Sequence, residues 1–419
     1  MLEGSFFIMQ ENLQKHAELA LKVGVNLQKG QGLLINAPIE AAEFVRIVVK
    51  KAYELGAKNV HIEWKDDELT LLKMENAPME VLEEFPEWRK DALTGMAKDG
   101  YAILSIYGEN PDLLNGIQPE KVSAVTRASS IALKEYRNYM MNDLSRWSII
   151  GYPTSGWAEK VYPELSTEEA VNALWKEIFR ISRTDRDNPV EEWKQHNERL
   201  RQAREYLNKK SYAKLHYTAE GTDLTIELPE GHIWHGGAAV AADGVTFNPN
   251  IPTEEVFTMP HKYGVNGKVT STMPLSFQGQ LIENFTLTFK DGKVVEYTCE
   301  KGEEALKQLL NADGDGASRL GEVALVPHES PVSQSGKVFY NTLFDENASC
   351  HLALGKAYPT NIEGGADMDE EQLDKHGVND SIVHEDFMIG SATMNIDGIT
   401  KDGTSEAIFR NGAWAIDFE

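Results

Sequence analysis

Cysteine is nearly absent from this chain: Cys299 and Cys350 are the only two in 419 residues. Two thiols cannot staple a secreted scaffold, and no cysteine pair stands at zinc-finger spacing, so reduced thiols are expected. Basic residues are also short, 41 against 66 acidic ones, for a formal charge of -25. Such a charge repels nucleic acid and anionic lipid, and no Lys/Arg cluster relieves it locally, so no nucleic acid and no membrane is expected as a partner. Cations and small uncharged or cationic ligands fit better, although net charge is also the ordinary means of keeping a protein in solution. No apolar run is long enough to cross a bilayer. Met1 to Ile8 has no basic region and too short an apolar core for a signal peptide, so a cytoplasmic location is expected.

What is present is a globular composition, 41% hydrophobic and 26% charged, over a length that suggests two domains. The first half alternates strand and helix. Gly32 to Asn36 reads as a short apolar strand, Pro38 can open a helix with the stripe Phe44, Val45, Val48, Val49 and Ala52, and Gly56 ends it before a second strand, Asn59 to Trp64. That is a right-handed βαβ unit of a parallel sheet. Tyr101 to Ile106 and Trp147 to Gly151 read as further strands, with one long helix over Pro119 to Ser145 between them. Helical spacing then dominates Ser166 to Asn208, a segment expected to link the domains.

From about Tyr212 the texture changes to alternation and turns. Leu224, Ile226 and Leu228 alternate with polar residues, as do Phe285, Leu287 and Phe289, and Asp291-Gly292 before Val294 is a hairpin signal. The expectation is an α/β N-terminal domain with a partly parallel sheet and a helical linker, residues 1–210. A mainly antiparallel β (α+β) metal-binding domain follows, residues 211–419.

Several local patterns carry no function. Gly30-x-Gly32 precedes a strand where a dinucleotide loop would follow one, and reads as a turn. Asn311 to Gly316 begins like a calcium loop but lacks its alternating ligands and closing glutamate. His328-Glu329 has no second histidine at the required step, and Pro331 opposes a helix there. His232 and His235 flank Trp234 in a Gly-rich segment that could line a pocket; both are left without a role.

The C-terminal third is different, because several short segments each offer a hard oxygen or imidazole ligand. Glu254 and Glu255 are adjacent, and in an extended segment only one of two neighbours faces a site. Glu322 opens an apolar strand, where an unpaired carboxylate costs several kcal/mol, roughly, unless a cation or donor meets it. Glu346 and His351 are five residues apart, and His384 and Asp386 can share one face. Together Glu255, Glu322, Glu346, His351, His384 and Asp386 supply four carboxylates and two imidazoles. That set suits two divalent cations with one bridging carboxylate and a bridging water or hydroxide, though each residue alone has a mundane alternative.

Four motifs in order resemble the thermophilic-metallopeptidase family of aminopeptidases, the group of aminopeptidases T and S. They are Asn250-Ile251-Pro252-Thr253-Glu254-Glu255-Val256-Phe257-Thr258, Leu320-Gly321-Glu322-Val323-Ala324-Leu325-Val326, Asn341 to Ala348 with Cys350-His351-Leu352-Ala353-Leu354-Gly355, and His384-Glu385-Asp386-Phe387-Met388-Ile389-Gly390. The resemblance spans nearly the whole length; Met1 to Met9 departs from it as an extension. It implies Glu255 as the first ligand, Glu322 as the bridging carboxylate, and Glu346, His351, His384 and Asp386 as the other ligands. It further implies a catalytic role for Tyr358, as a ligand or as a donor to an oxyanion.

The reaction implied is that of a metalloaminopeptidase, hydrolysis of the N-terminal peptide bond of short peptides with a free amine by two divalent ions, zinc, cobalt or manganese. A homodimer with an enclosed interior is implied as well. The proton carrier is open between Glu254 and a ligand carboxylate that swings free. Two alternatives stand beside this reading: a two-metal phosphoesterase, against which the lack of an accompanying basic group counts, and a non-catalytic scaffold whose metals only staple the domain.

Overall fold

The computed structural model describes residues 2–277 and 280–418, and it divides into two compact units. The first comprises Met1–Gln195 and Ala238–Pro252, the second His196–Gly237 and Thr253–Glu419. The division therefore falls inside the helix Pro189–Lys210, not after it, and the chain returns once to the first unit before entering the second for good.

A five-stranded, all-parallel sheet forms the first unit, in the order Asn59–Lys65, Gly32–Pro38, Ala102–Tyr107, Trp147–Gly151 and Asn250–Ile251. Leu33, Leu34 and Ile35 are all fully buried, since helices cover both faces and a continuous apolar run is the only pattern that fits. Leu33 and Ile35 pack with Phe44, Val45, Val48, Leu104 and Ile150 on one side; Leu34 packs with Leu93, Ala97, Ile103 and Tyr136 on the other. Gly56, at φ +93°, stops the helix Ala42–Glu54 as expected.

The long helix expected over Pro119 to Ser145 is instead two, Pro119–Ala132 and Lys134–Met141. Leu133 leaves the helical region at φ -95° and ψ 15°, and the second helix stops short because Asp143 adopts φ +50°. Beyond it, Ser166 and Glu169 form a reciprocal capping box that opens the helix Thr167–Ile181. Residues 2–8 lie within the helix Leu2–Leu19, whereas Met1 lies outside the described residues. No helix among the described residues is long and apolar enough to cross a membrane.

The second unit is antiparallel. Its nine-stranded sheet contains Lys214–Ala219, Thr222–Glu227, Val265–Thr270, Gln280–Lys290 and Asn395–Ile399 among its strands. Asp291 and Gly292, both at positive φ, close the expected hairpin between Gln280–Lys290 and Lys293–Lys301. A second sheet has four strands in the order Val256–Thr258, Leu320–Leu325, His351–Gly355 and His384–Met388. Val256, Val323, Leu325, Leu352, Leu354 and Phe387 of the small sheet share one core with Leu224, Ile226, Val265, Leu287 and Ile396 of the large one. One face of the small sheet is thus committed to apolar packing.

Gly355 has a particular role there. It sits at φ +104°, and a Cβ would come within 2.1 Å of the Val383 carbonyl, next to the strand that carries His384 and Asp386. Gly355→Ala is expected to cost about 1–3 kcal/mol in urea unfolding, and more where the strand cannot yield. An unchanged unfolding midpoint would show that the strand shifts freely.

Candidate metal centre

Strand pairing carries the expected ligands to one place. Cross-strand partners share a face, and the pairs Glu322 with Ala353 and Ala353 with Asp386 set two carboxylates on either side of a methyl group. Two residues along, Ala324 pairs with His351; in the other direction Gly355 pairs with His384. Phe257 pairs with Ala324, so alternation puts Glu255 on this face and Glu254 on the other. The small residues leave room for the long ones.

The distances agree. His351 Nε2 lies 3.2 Å from Glu255 Oε2 and 3.6 Å from Glu322 Oε1, and His384 Nε2 lies 3.8 Å from Glu322 Oε2 and 3.7 Å from Asp386 Oδ1. Two tight groups result, Glu255 with Glu322 and His351, and Glu322 with His384 and Asp386; Glu322 belongs to both. In each histidine the Nδ1–H is spoken for. His351 donates it to the Ser349 carbonyl at 3.1 Å and His384 to the Lys356 carbonyl at 2.7 Å, which leaves both Nε2 atoms turned to carboxylates.

Neutral imidazoles so arranged would point lone pairs at negative oxygens, so a proton or a cation must stand between them. Glu255 Oε2 and Asp386 Oδ1 are buried with no hydrogen-bond partner among the described residues. Glu322 is 6% exposed and His351 1%. Burial first, then the charges of Asp386 and Glu255, pushes the Glu322 carboxyl up to about 7. Glu346 is held well above its ordinary value by burial and then by Glu255 and Asp386. Burial disfavours a charge on His351, but Glu255 and Glu322 outweigh it and raise the pKa; Asp386 and Glu322 do the same for His384. Orphaned buried oxygens, inward imidazoles and crowded carboxylates fit divalent cations.

Glu346 belongs to neither tight group, although its pKa shows that it feels both. Glu254 diverges as alternation requires, its Oε2 lying 3.5 Å from His196 Nε2. The Tyr358 ring is 5.0 Å from that of His384 and the residue is 38% exposed; burial first, then Glu322 and Asp386, raises its hydroxyl pKa and keeps it a donor. Sequence reasoning missed Asn347. Its Oδ1 accepts the Glu254 N–H at 2.7 Å while its Nδ2 donates to the Leu343 carbonyl at 2.9 Å, so one buried amide fixes the segments bearing Glu255 and Glu346 to each other. Its place next to Glu346 was the only signal, and a chain-adjacent amide is a weak one.

A model of the family described as thermophilic metalloprotease (M29) matches residues 9–414. Aminopeptidase 2 of Geobacillus stearothermophilus is 57% identical over 408 residues, 97% of this chain and 98% of that protein. Aminopeptidase T of Thermus thermophilus is 43% identical over 407 residues, 97% of this chain and 99% of that protein. A solved structure, wild-type AmpT from Thermus thermophilus, superposes with a TM-score of 0.91 at 43% identity, covering 97% of this chain and all of that one.

Two outcomes are expected from this geometry. Asn347→Ala strands the Glu254 N–H, so it should weaken zinc binding by about 10–100-fold in a chelator competition. Unchanged affinity would show that the amide does not set the ligands. The second concerns pH. A carboxyl raised from 4.5 to about 7 makes the folded state bind a proton that the unfolded state lacks, so metal-free stability falls as pH climbs through that window. The raised histidines act in the same direction, their contribution being lost above 6.5. The rise in Tm on adding zinc should therefore be larger near about pH 8 than near about pH 6, as read by differential scanning calorimetry.

Proposed function

The chain belongs to the thermophilic metalloprotease (M29) family, a family of peptide-bond hydrolases, and from that premise we propose that it is an aminopeptidase with a two-metal centre. Its ligands are Glu255, Glu322, Glu346, His351, His384 and Asp386, and its substrates short peptides with a free N-terminus. The observation that carries this reading is the sharing of Glu322 by two tight ligand groups, the arrangement that a carboxylate bridging two cations requires. Bound there, zinc, cobalt or manganese would supply Lewis acidity for the scissile carbonyl and lower the pKa of the attacking water.

The protein's own groups do the rest. Tyr358, kept protonated, donates to the carbonyl oxygen as that atom gains negative charge. The Nδ1–H bonds of His351 and His384 to backbone carbonyls hold both rings in the orientation that aims Nε2 inward. A face rich in carboxylate attracts the amine end of a peptide and repels an acidic one. Glu254 is buried, outside both tight groups and turned to His196 instead; we therefore read a ligand carboxylate that swings free as the group that moves the proton to the leaving amine. The acidic surface and the free thiols of Cys299 and Cys350 favour a cytoplasmic setting, and we take the working state to be a homodimer.

Chelated protein resupplied with each metal should release amino acids from free peptides and spare N-acetylated ones; no release with any metal would overturn the reading, and p-nitrophenyl phosphate cleavage would favour the phosphoesterase. Metal content separates the ligands. Asp386→Asn should lower occupancy at one of two sites, while Glu322→Gln should weaken both and abolish turnover. Glu254→Gln should keep its metal and most of its kcat; a loss of about 10²–10⁴-fold would pass the proton to Glu254.

A further inference from the structure

Phe257 and His235 sit on the ligand-bearing face of the small sheet, yet neither belongs to a ligand group. The backbone N–H of each donates to the carbonyl of the other at 2.9 Å, an antiparallel bridge that extends the cross-strand row Phe257, Ala324, His351, Met388 by one residue. Ring contacts continue the pattern. His235 lies 6.1 Å from Phe257, Phe257 lies 6.4 Å from Tyr358, and Tyr358 lies 5.0 Å from His384. A line of rings therefore runs from a proposed metal ligand outward to the edge of the sheet.

This line is rigidly held. His235 donates from Nε2 to the Thr360 carbonyl at 2.8 Å, on the loop that bears Tyr358. Gly236 comes so close that a Cβ would lie 2.3 Å from the Glu255 carbonyl, so the wall and the first proposed ligand are set by the same backbone approach. Phe257 is only half-buried and Tyr358 is partly exposed. Apolar ring surface left in contact with water beside a cluster of carboxylates is surface that a bound side chain would cover.

We propose that Phe257, flanked by His235 and Tyr358, is the wall against which the side chain of the peptide's N-terminal residue packs, and that it selects apolar and aromatic side chains over small ones. The proposal rests on the aminopeptidase reading. The rings supply flat contact for an aliphatic or aromatic group, a methyl side chain is too short to cover them, and an acidic side chain would meet the carboxylates.

The test compares metal-loaded wild type, Phe257→Ala, Phe257→Leu and His235→Gln on the p-nitroanilides of phenylalanine, leucine and alanine. Phe257→Ala should lower kcat/KM for the phenylalanine and leucine substrates about tenfold or more beyond any loss on the alanine one. His235→Gln, which keeps an N–H for Thr360, should lower the same ratio less, with metal content unchanged. If Phe257→Ala does not fold, Phe257→Leu preserves an apolar side chain and should lose phenylalanine turnover selectively. An unchanged substrate ratio, or equal losses on all three substrates, would overturn the wall while leaving the aminopeptidase reading intact. Wild type that cleaves none of the three would overturn both.

Discussion

Carboxylates do not gather in a dry place unless positive charge holds them there. Glu255, Glu322 and Asp386 converge on His351 and His384 over one face of a four-stranded sheet, and two of their oxygens are buried without a hydrogen-bond partner among the described residues. Burial first, then the neighbouring charges of Asp386 and Glu255, raises the Glu322 carboxyl to about 7, so left to itself the cluster takes up protons. The local structure is arranged around tolerating that repulsion until cations relieve it.

Tolerance comes from the reverse face of the same strands. Val323, Leu325, Leu352, Leu354 and Phe387 alternate with the candidate ligands and enter the core shared with the nine-stranded sheet. Each buried aliphatic side chain of this size contributes about 1.5–3 kcal/mol. A two-residue period thus does two jobs at once, anchoring on one face and gathering carboxylates and imidazoles on the other, and Ala324, Ala353 and Gly355 keep that face open. Asn347 adds the fine adjustment, one amide tying the Glu254 backbone to the turn that presents Glu346.

The all-parallel sheet of the first unit obeys a different rule, with both faces covered and no alternation in Leu33, Leu34 and Ile35. Its last strand, Asn250–Ile251, precedes Glu255 by only a few residues, so the chain passes almost directly from a parallel strand into the segment that bears the first candidate ligand.

Much of this was legible in the residues alone. The strands about Leu33 and Glu322, the hairpin at Asp291-Gly292 and the helical stretch from Ser166 depend on neighbours a few positions away, and local sterics and hydrogen bonds decide them. The break at Leu133 has no proline or glycine to announce it, and the return of residues 238–252 to the first unit has no local mark. The six ligand candidates could be named, and alternation said that Glu254 and Glu255 must diverge. What the sequence determined by itself is which residues could ligate, because chemistry resides in the side chain. Only the tertiary structure decided that Glu255, Glu322, His351 and Asp386 share a face, that Glu322 lies in two groups, and that His235 joins Phe257. Those facts depend on register between strands far apart in the chain, where a slip of one residue would turn every candidate ligand into the core.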